Sequence, residues 1–488
     1  MTQRFVWVAL VGMSAASLYI HTDARNPADT AVLRQVLSEA RTQAEQVKDE
    51  TSRLVLLENL AAAEARAGNI KLAQSEAERL EPIVKAPPNY GDCNYIYEQI
   101  LRAQARAGDY DAALRTIQRI SGIGGSKDEG YYALAEELAN QGKLDQVIGL
   151  IEQTSRPDNV ISRARVFLEL AVASTKSGDT EHAAVLFDRA ESLSAQLLHE
   201  AGVQSASVGV FLDVAARRRT CGSPGTARRM FSEAQQVIGR VTDDSKRQQY
   251  LCMLASAAAR GGDFDLAKEI QVHITDPLQE AQAGVAIVDA YLAEPIPDTE
   301  SGRTVALNIR MLEMRISSLN SVAAAQARKG ERDAARKTLN ASKRLLELVA
   351  DDWKPWGTLG LASAEYELGD RTQAGHLCDE TIELTSRFNI HPERQRALAL
   401  NEVAGLRASF GDEAGALDTA RHAERDSLFE DIAEVEAEKG QASSALKWTE
   451  KLKDPEQKAG ALLGIARGLL DKQQSSLEHK NASYPNCH

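Results

Sequence analysis

The chain has 488 residues, 43% apolar, 26% charged and only 5% aromatic, with a formal net charge of −13. That apolar fraction can build a core, while the acidic balance argues against a general nucleic-acid binder, which needs a surplus of Lys and Arg. The five cysteines (Cys93, Cys221, Cys252, Cys378 and Cys487) are odd in number, far apart and without a CxxC, which excludes a disulfide scaffold and a zinc ribbon.

The N-terminus reads MTQRFVWVALVGMSAASLYIHTDA. Arg4 precedes an apolar run from Phe5 to Ile20, followed by a small-x-Ala triplet ending at Ala24. Residues 1–24 are expected to be a secretory signal or an N-terminal membrane anchor, with a buried first helix as a third reading. At 1.5 Å per residue the run spans about 24 Å, short of the roughly 30 Å hydrocarbon core. The expected location is therefore exported, periplasmic or extracellular, or membrane-anchored through this segment alone.

From Thr30 the chain turns Ala-rich and Pro-poor, with Leu, Glu, Gln and Arg, the residues that cost least in a helix. Thr30–Glu50 reads as a first helix that caps a stack. Ten turn glycines then follow, at Gly68, Gly108, Gly142, Gly178, Gly222, Gly262, Gly330, Gly369, Gly411 and Gly440. GIGGSK (Gly122–Lys127) lacks the spacing of a phosphate-binding loop and follows a helix, so it reads as a plain connection. ARRRTCGSPGTARRM places Arg217, Arg218, Arg219, Arg228 and Arg229 around one turn, a candidate grip for a carboxylate or phosphate group. EPIPDTESG (Glu294–Gly302) sits where one turn glycine is missing and prolines break the helix instead. DDWKPW (Asp351–Trp356) reads as a capped helix start with its tryptophans in the core, and His391 as a solvated histidine at a helix start. Glu456–Asp471 reads as the last helix, and residues 473–488 as a disordered polar tail.

Eight residues before every glycine stands an aliphatic residue, from Leu60 and Ile100 to Val403 and Ile432. The next residue is Ala except at Leu101, and five after the glycine Ala recurs except at Val147. Apolar positions three, four and seven apart make one stripe of a helix. The glycine ends that helix, and Asp109, Asp179, Asp263, Asp370 and Asp412 follow it, where a carboxylate caps the next helix. A catalytic reading of GDYD (Gly108–Asp111) would have to hold many times over, so it is a hinge.

A period near 34 built from helix, turn and helix marks a stacked solenoid. On these columns, residues 30 to 472 resemble the tetratricopeptide repeat family. The resemblance implies an all-α fold, a right-handed α-solenoid of antiparallel helix pairs, with about eleven or twelve pairs across residues 25–472. The family's first-helix tyrosine is mostly absent, and its closing proline is irregular. Pentatricopeptide repeats share the spacing but carry large residues where this chain has Ala.

The resemblance also implies that one face of each first helix lines a concave groove. Two residues before the glycines that face carries Arg66, Arg106, Lys176, Arg260 and Arg328, giving way to Glu367, Ser409 and Glu438. The column is either a ladder for an acidic segment or a set of cations favouring helix C-termini. The Asn that a carboxylate clamp requires six residues before the glycine is absent. The expectation is a non-enzymatic scaffold binding an extended or helical protein segment, with no cofactor, metal or nucleic acid. An RNA-binding array and an enzyme with a hidden site remain the alternatives.

Overall fold

The computed structural model describes residues 27–86, 93–120, 127–141, 143, 146, 149, 160–200, 204–387, 392–423 and 427–481. The expected signal or anchor, Gly142, His391 and Gly122–Ser126 of GIGGSK lie outside them. Among the described residues there is no strand, and no helix is long and apolar enough to cross a membrane.

The helices in order are α1 (Pro27–Ala44), α2 (Glu50–Arg66), α3 (Ile70–Val84), α4 (Asn94–Arg106), α5 (Tyr110–Ile117) and α6 (Lys127–Asn140). After residues 141–159 come α7 (Val160–Ser177), α8 (Thr180–Glu200), α9 (Ser205–Thr220), α10 (Pro224–Gly239), α11 (Asp244–Arg260) and α12 (Phe264–His273). Next are α13 (Pro277–Ala293), α14 (Thr299–Asn308), α15 (Leu312–Arg328), α16 (Arg332–Leu346), α17 (Lys354–Glu367) and α18 (Arg371–Ser386). The last are α19 (Pro392–Phe410), α20 (Glu413–Ala423), α21 (Ser427–Glu438), α22 (Ala442–Thr449) and α23 (Pro455–Asn481).

The fold is an all-α solenoid of helix pairs. Nine turn glycines have φ between 76° and 97°, and the tenth is Gly142. At Gly108 (φ +80°) a side chain would meet nothing within 4 Å, so glycine is required there by the backbone alone. Asp109, Asp179, Asp370 and Asp412 accept amide N–H bonds three residues on, at 3.0, 3.2, 2.9 and 3.0 Å. Asp263 makes no such bond and holds Arg219 and Arg228 instead. In the proline-broken turn, α13 stops at Ala293 and Asp298 caps α14 through Ser301.

The first helix of each pair packs on its own second helix and on the first helices of both neighbouring pairs. Second helices lean on the next first helix. The first helices form the inner layer, because only they touch one another from pair to pair. Their small residues let them approach: Ala61, Ala135, Ala171, Ala215, Ala255, Ala323 and Ala404 are all 0% exposed.

The array closes on itself. α23 packs on α21 and α22 and also on α1 and α2, at the opposite end of the sequence. It is a twelfth inner helix, and α1 occupies the outer place beside it. Expected to cap opposite ends of a stack, the two terminal helices instead complete one pair. Leu33, Val36, Leu37 and Ala40 of α1 share a buried apolar cluster with Leu462, Ile465, Ala466 and Leu469 of α23. Each such leucine, isoleucine or valine contributes about 1.5–3 kcal/mol. Lys458 Nζ reaches Glu39 Oε1 at 2.9 Å across the joint. Twelve inner helices at about 9–10 Å spacing enclose a lumen of the order of 25 Å across.

Three expectations are corrected. The first helix ends at Ala44 rather than Glu50, because Asp49 caps α2 by accepting the Ser52 N–H at 2.8 Å. The last helix runs through Asn481, past the expected start of the disordered tail, since KQQSSLEHKN contains neither Gly nor Pro to stop it. Trp353 is not in the core but 43% exposed, and beside it Asp351 accepts from Lys354 at 2.6 Å. Cys93, Cys252 and Cys378 are free and buried, whereas Cys221 is disulfide-bonded. That is a single bridge rather than a scaffold.

Candidate functional site

Packing consumes three sides of each inner helix and leaves the side facing the lumen. Counted back from the turn glycine, the free stripe falls at positions thirteen, nine, six and two, about one residue per helical turn, although position six is buried in four of these helices, at Ala62, Val172, Ala216 and Ala324. In α4 these are Tyr95, Gln99, Arg102 and Arg106, and in α11 Gln249, Met253, Ser256 and Arg260, all partly or well exposed. In α17 they are Trp356, Gly360, Ser363 and Glu367.

The expected cation ladder lies on this stripe, but it is not an open row. Arg66 pairs with Asp471 of α23, and Arg106 meets Glu137 of α6 at 3.0 Å. Arg260 meets Asp213 of α9 at 2.8 Å, and Arg328 meets Glu367 of α17 at 3.0 Å. Each cation thus ties its own repeat to an adjoining one. Among the described residues Lys176 has no ion pair. Burial pushes the Glu137 carboxyl up, and Arg106 and Arg102 oppose it. Arg106, Arg260 and Arg328 are 42–59% exposed, so each contact is worth about 0–1 kcal/mol.

The arginine cluster divides between two seams. Arg218 is buried, pairs with Asp188 and Glu191 of α8, and lies 5.1 Å over the Phe187 ring. Arg229 joins it on Glu191 at 2.5 Å. Arg219 and Arg228 both take Asp263 at 3.3 Å. Arg217, half-buried, is the member of the cluster without an ion pair among the described residues. These side chains hold neighbouring repeats and form no common grip.

What the sequence reading missed is an acidic arc where the ring closes. Glu367, Glu402, Asp431, Glu434, Glu438 and Asp471 lie on consecutive inner helices α17, α19, α21 and α23. Carboxylate oxygens of Glu434, Glu438 and Asp471 come within 4.8 Å of one another. Burial raises the Glu438 carboxyl, and Glu434 and Asp471 raise it further. Arg467 is the local counter-charge, at 2.5 Å from both Glu430 and Glu434. The change from cations to Glu367 and Glu438 two residues before the glycine was the available signal. Asp471 belongs to a helix with no turn glycine, and so escaped the alignment.

No protein-family model matches the chain, and no curated protein does. Solved structures give a likeness of fold. Ton1535 from Thermococcus onnurineus NA1 is 14% identical, with 76% of this chain and 98% of that one covered and a TM-score of 0.29. A circular tandem repeat protein with novel repeat topology is 13% identical over 93% of this chain and 98% of its own, with a TM-score of 0.20. The pentatricopeptide repeat protein PPR10 from maize is 14% identical over 93% and 73%, with a TM-score of 0.28. Scores this low carry no argument, and the architecture rests on the helices described above.

Proposed function

We propose that this chain is a ring-shaped scaffold of tetratricopeptide-like repeats whose inner wall receives a segment of another protein. One observation carries the reading: packing leaves a stripe of polar residues, interspersed with Val55, Tyr95, Met253, Trp356 and Leu398, exposed or half-buried along successive inner helices, and spends the remaining surface on neighbours. A surface repeated in this way suits an extended or helical ligand. Glu402, Asp431 and Glu438, the acids of the arc without an ion pair among the described residues, favour a segment bearing Lys or Arg, and the pairing of the cation ladder removes the basis for an acidic one. The same arc would repel a phosphate backbone, which speaks against the RNA-binding alternative.

The test is site-specific photocross-linking in the native host. A photoreactive residue at Ser256 or Ser321 on the wall is expected to capture one protein that a residue at Glu78 on the outside does not. Reversing Glu402 and Glu438 to Lys is expected to abolish that capture. Equal capture inside and outside, or capture indifferent to the reversal, overturns the reading. We further propose export or tethering through residues 1–24, and sequencing the mature N-terminus tests it, with a start at Arg25 expected for a cleaved signal.

A further inference from the structure

At the joint where the chain's two ends meet, a cleft of about 700 Å³ opens between α1, the end of α2 and the start of α3. It is separate from the inner wall, and its charges run opposite to those of two other seams. At two other seams, the position four before the glycine is a buried arginine held by an acid of the preceding outer helix: Arg218 by Asp188, and Arg407 by Asp379. At this seam the polarity is reversed, as it also is where Glu365, four before Gly369, takes Lys343 of the preceding outer helix α16 at 2.7 Å. Glu64 stands four before Gly68, and the preceding outer helix α1 presents Arg34 and Arg41. Arg41 Nη1 is engaged by Glu76. Its Nη2 is wholly enclosed, 3.7 Å from Glu64, and makes no hydrogen bond.

Two further cations line the cleft without ion pairs among the described residues. Arg34 and Lys71 are both exposed and face it from α1 and α3. Asn69, the residue before α3, gives its side-chain amide to Glu64 at 2.5 Å and makes no cap bond. No acidic residue occupies the first turn of α3. Leu37, Ile70 and Leu72 supply an apolar wall beside the donors.

We propose that this cleft binds a small phosphorylated compound, with the phosphate held between Arg34 and Lys71 at its open face. A guanidinium gives charge-assisted hydrogen bonds to a phosphate oxygen, and an ammonium adds a point charge. Arg41 is offset by Glu64 and Glu76, while Arg34 and Lys71 have no ion pair among the described residues, which leaves the cleft positive within a protein of net charge −13. The apolar wall receives the body of the ester, as in other sites of this size. The site does not depend on what occupies the lumen.

The experiment is calorimetric titration of the full chain with inorganic phosphate and with phenyl phosphate, at fixed ionic strength held by NaCl. Saturable binding of phenyl phosphate is expected, weakened at least about tenfold in the double variant Arg34→Gln, Lys71→Gln. Both side chains are exposed, so the thermal transition of the double variant should match that of the wild type. If inorganic phosphate binds as tightly as the ester, the site takes the free ion; if only the ester binds, it takes phosphate monoesters. Either result supports the site, provided the double variant loses it. Absence of saturable binding by both probes, or unchanged binding in the double variant, overturns it.

Discussion

Arg66, at the end of α2, is ion-paired with Asp471 of α23, 405 residues further along the chain. The pair lies on the lumen side of the joint, where α2 belongs to the first repeat and α23 to the last. Truncating Leu37 of α1 tests the closure behind it. Leu37→Ala is expected to cost about 2–5 kcal/mol, as deletion of a fully buried leucine does. Because α1 is the outer helix of α23, hydrogen exchange should quicken in Pro455–Asp471 as much as in α1. The middle repeats, α9 to α14, should be unaffected. Exchange that rises only in α1 and α2 would mean the ends are not one unit.

A second prediction concerns the approach of α23 to α21. A Cβ at Gly464 would collide with the backbone carbonyl of Glu430, and one at Gly468 with that of Glu434. Neither backbone can yield without separating the helices. Gly464→Ala is therefore expected to destabilise by about 3 kcal/mol or more, in the range of overpacking and backbone displacement. Gly405 of α19 has nothing within 4 Å, and Gly405→Ala should be neutral or stabilising by up to about 1 kcal/mol. Urea denaturation of the two variants side by side gives the comparison.

The turn column allows a cleaner backbone test. Gly108→Ala meets no steric neighbour, so its cost is the left-handed conformation itself, about 1–2 kcal/mol. Gly108→Asn should cost less, since Asn visits that region more readily. Thermal denaturation that ranks Ala and Asn equally would mean the turn relaxes to another shape.

Acid should weaken one seam in a defined window. Burial raises the Glu81 carboxyl, but hydrogen bonds from Lys85, Tyr97 and Arg119 outweigh it and bring the carboxyl down to about 2 from 4.5. A pKa lowered by folding contributes stability above the unfolded value, lost as pH falls toward the folded one. The loss therefore runs between about pH 4.5 and 2 and is of the order of 3 kcal/mol. Wild type and Glu81→Gln should differ in urea midpoint near neutral pH and converge across that window. Tyr97→Phe, which removes the 2.8 Å bond to Glu81, should move the acid limb to higher pH.

The helix pairs were legible in the sequence because each is specified locally. A stripe such as Ile100, Leu101 and Ala105, a turn at Gly108 and a cap at Asp109 all lie within ten residues of one another. The proline-broken turn before Asp298 was readable for the same reason. Closure was not, because it depends on α1 and α23 recognising each other across the whole chain. One trace of it was present: Gly460, Gly464 and Gly468 recur every fourth residue, the mark of a helix face pressed against another backbone. The sequence also showed the cations of the stripe but not their partners. Arg260 meets Asp213 across repeats of unequal length, so no fixed spacing links the two. The acidic arc needed α21 and α23 to be set side by side before Glu434, Glu438 and Asp471 became neighbours.

An open array of repeats can lengthen by duplicating a unit at either end, with each new copy resting on the last. A molecule whose tail completes its head has no such freedom. One more unit would have to enter the circle and change the bend at all the other joints together. Growth is thereby diverted into the connections, as in the proline-broken turn between Ala293 and Thr299.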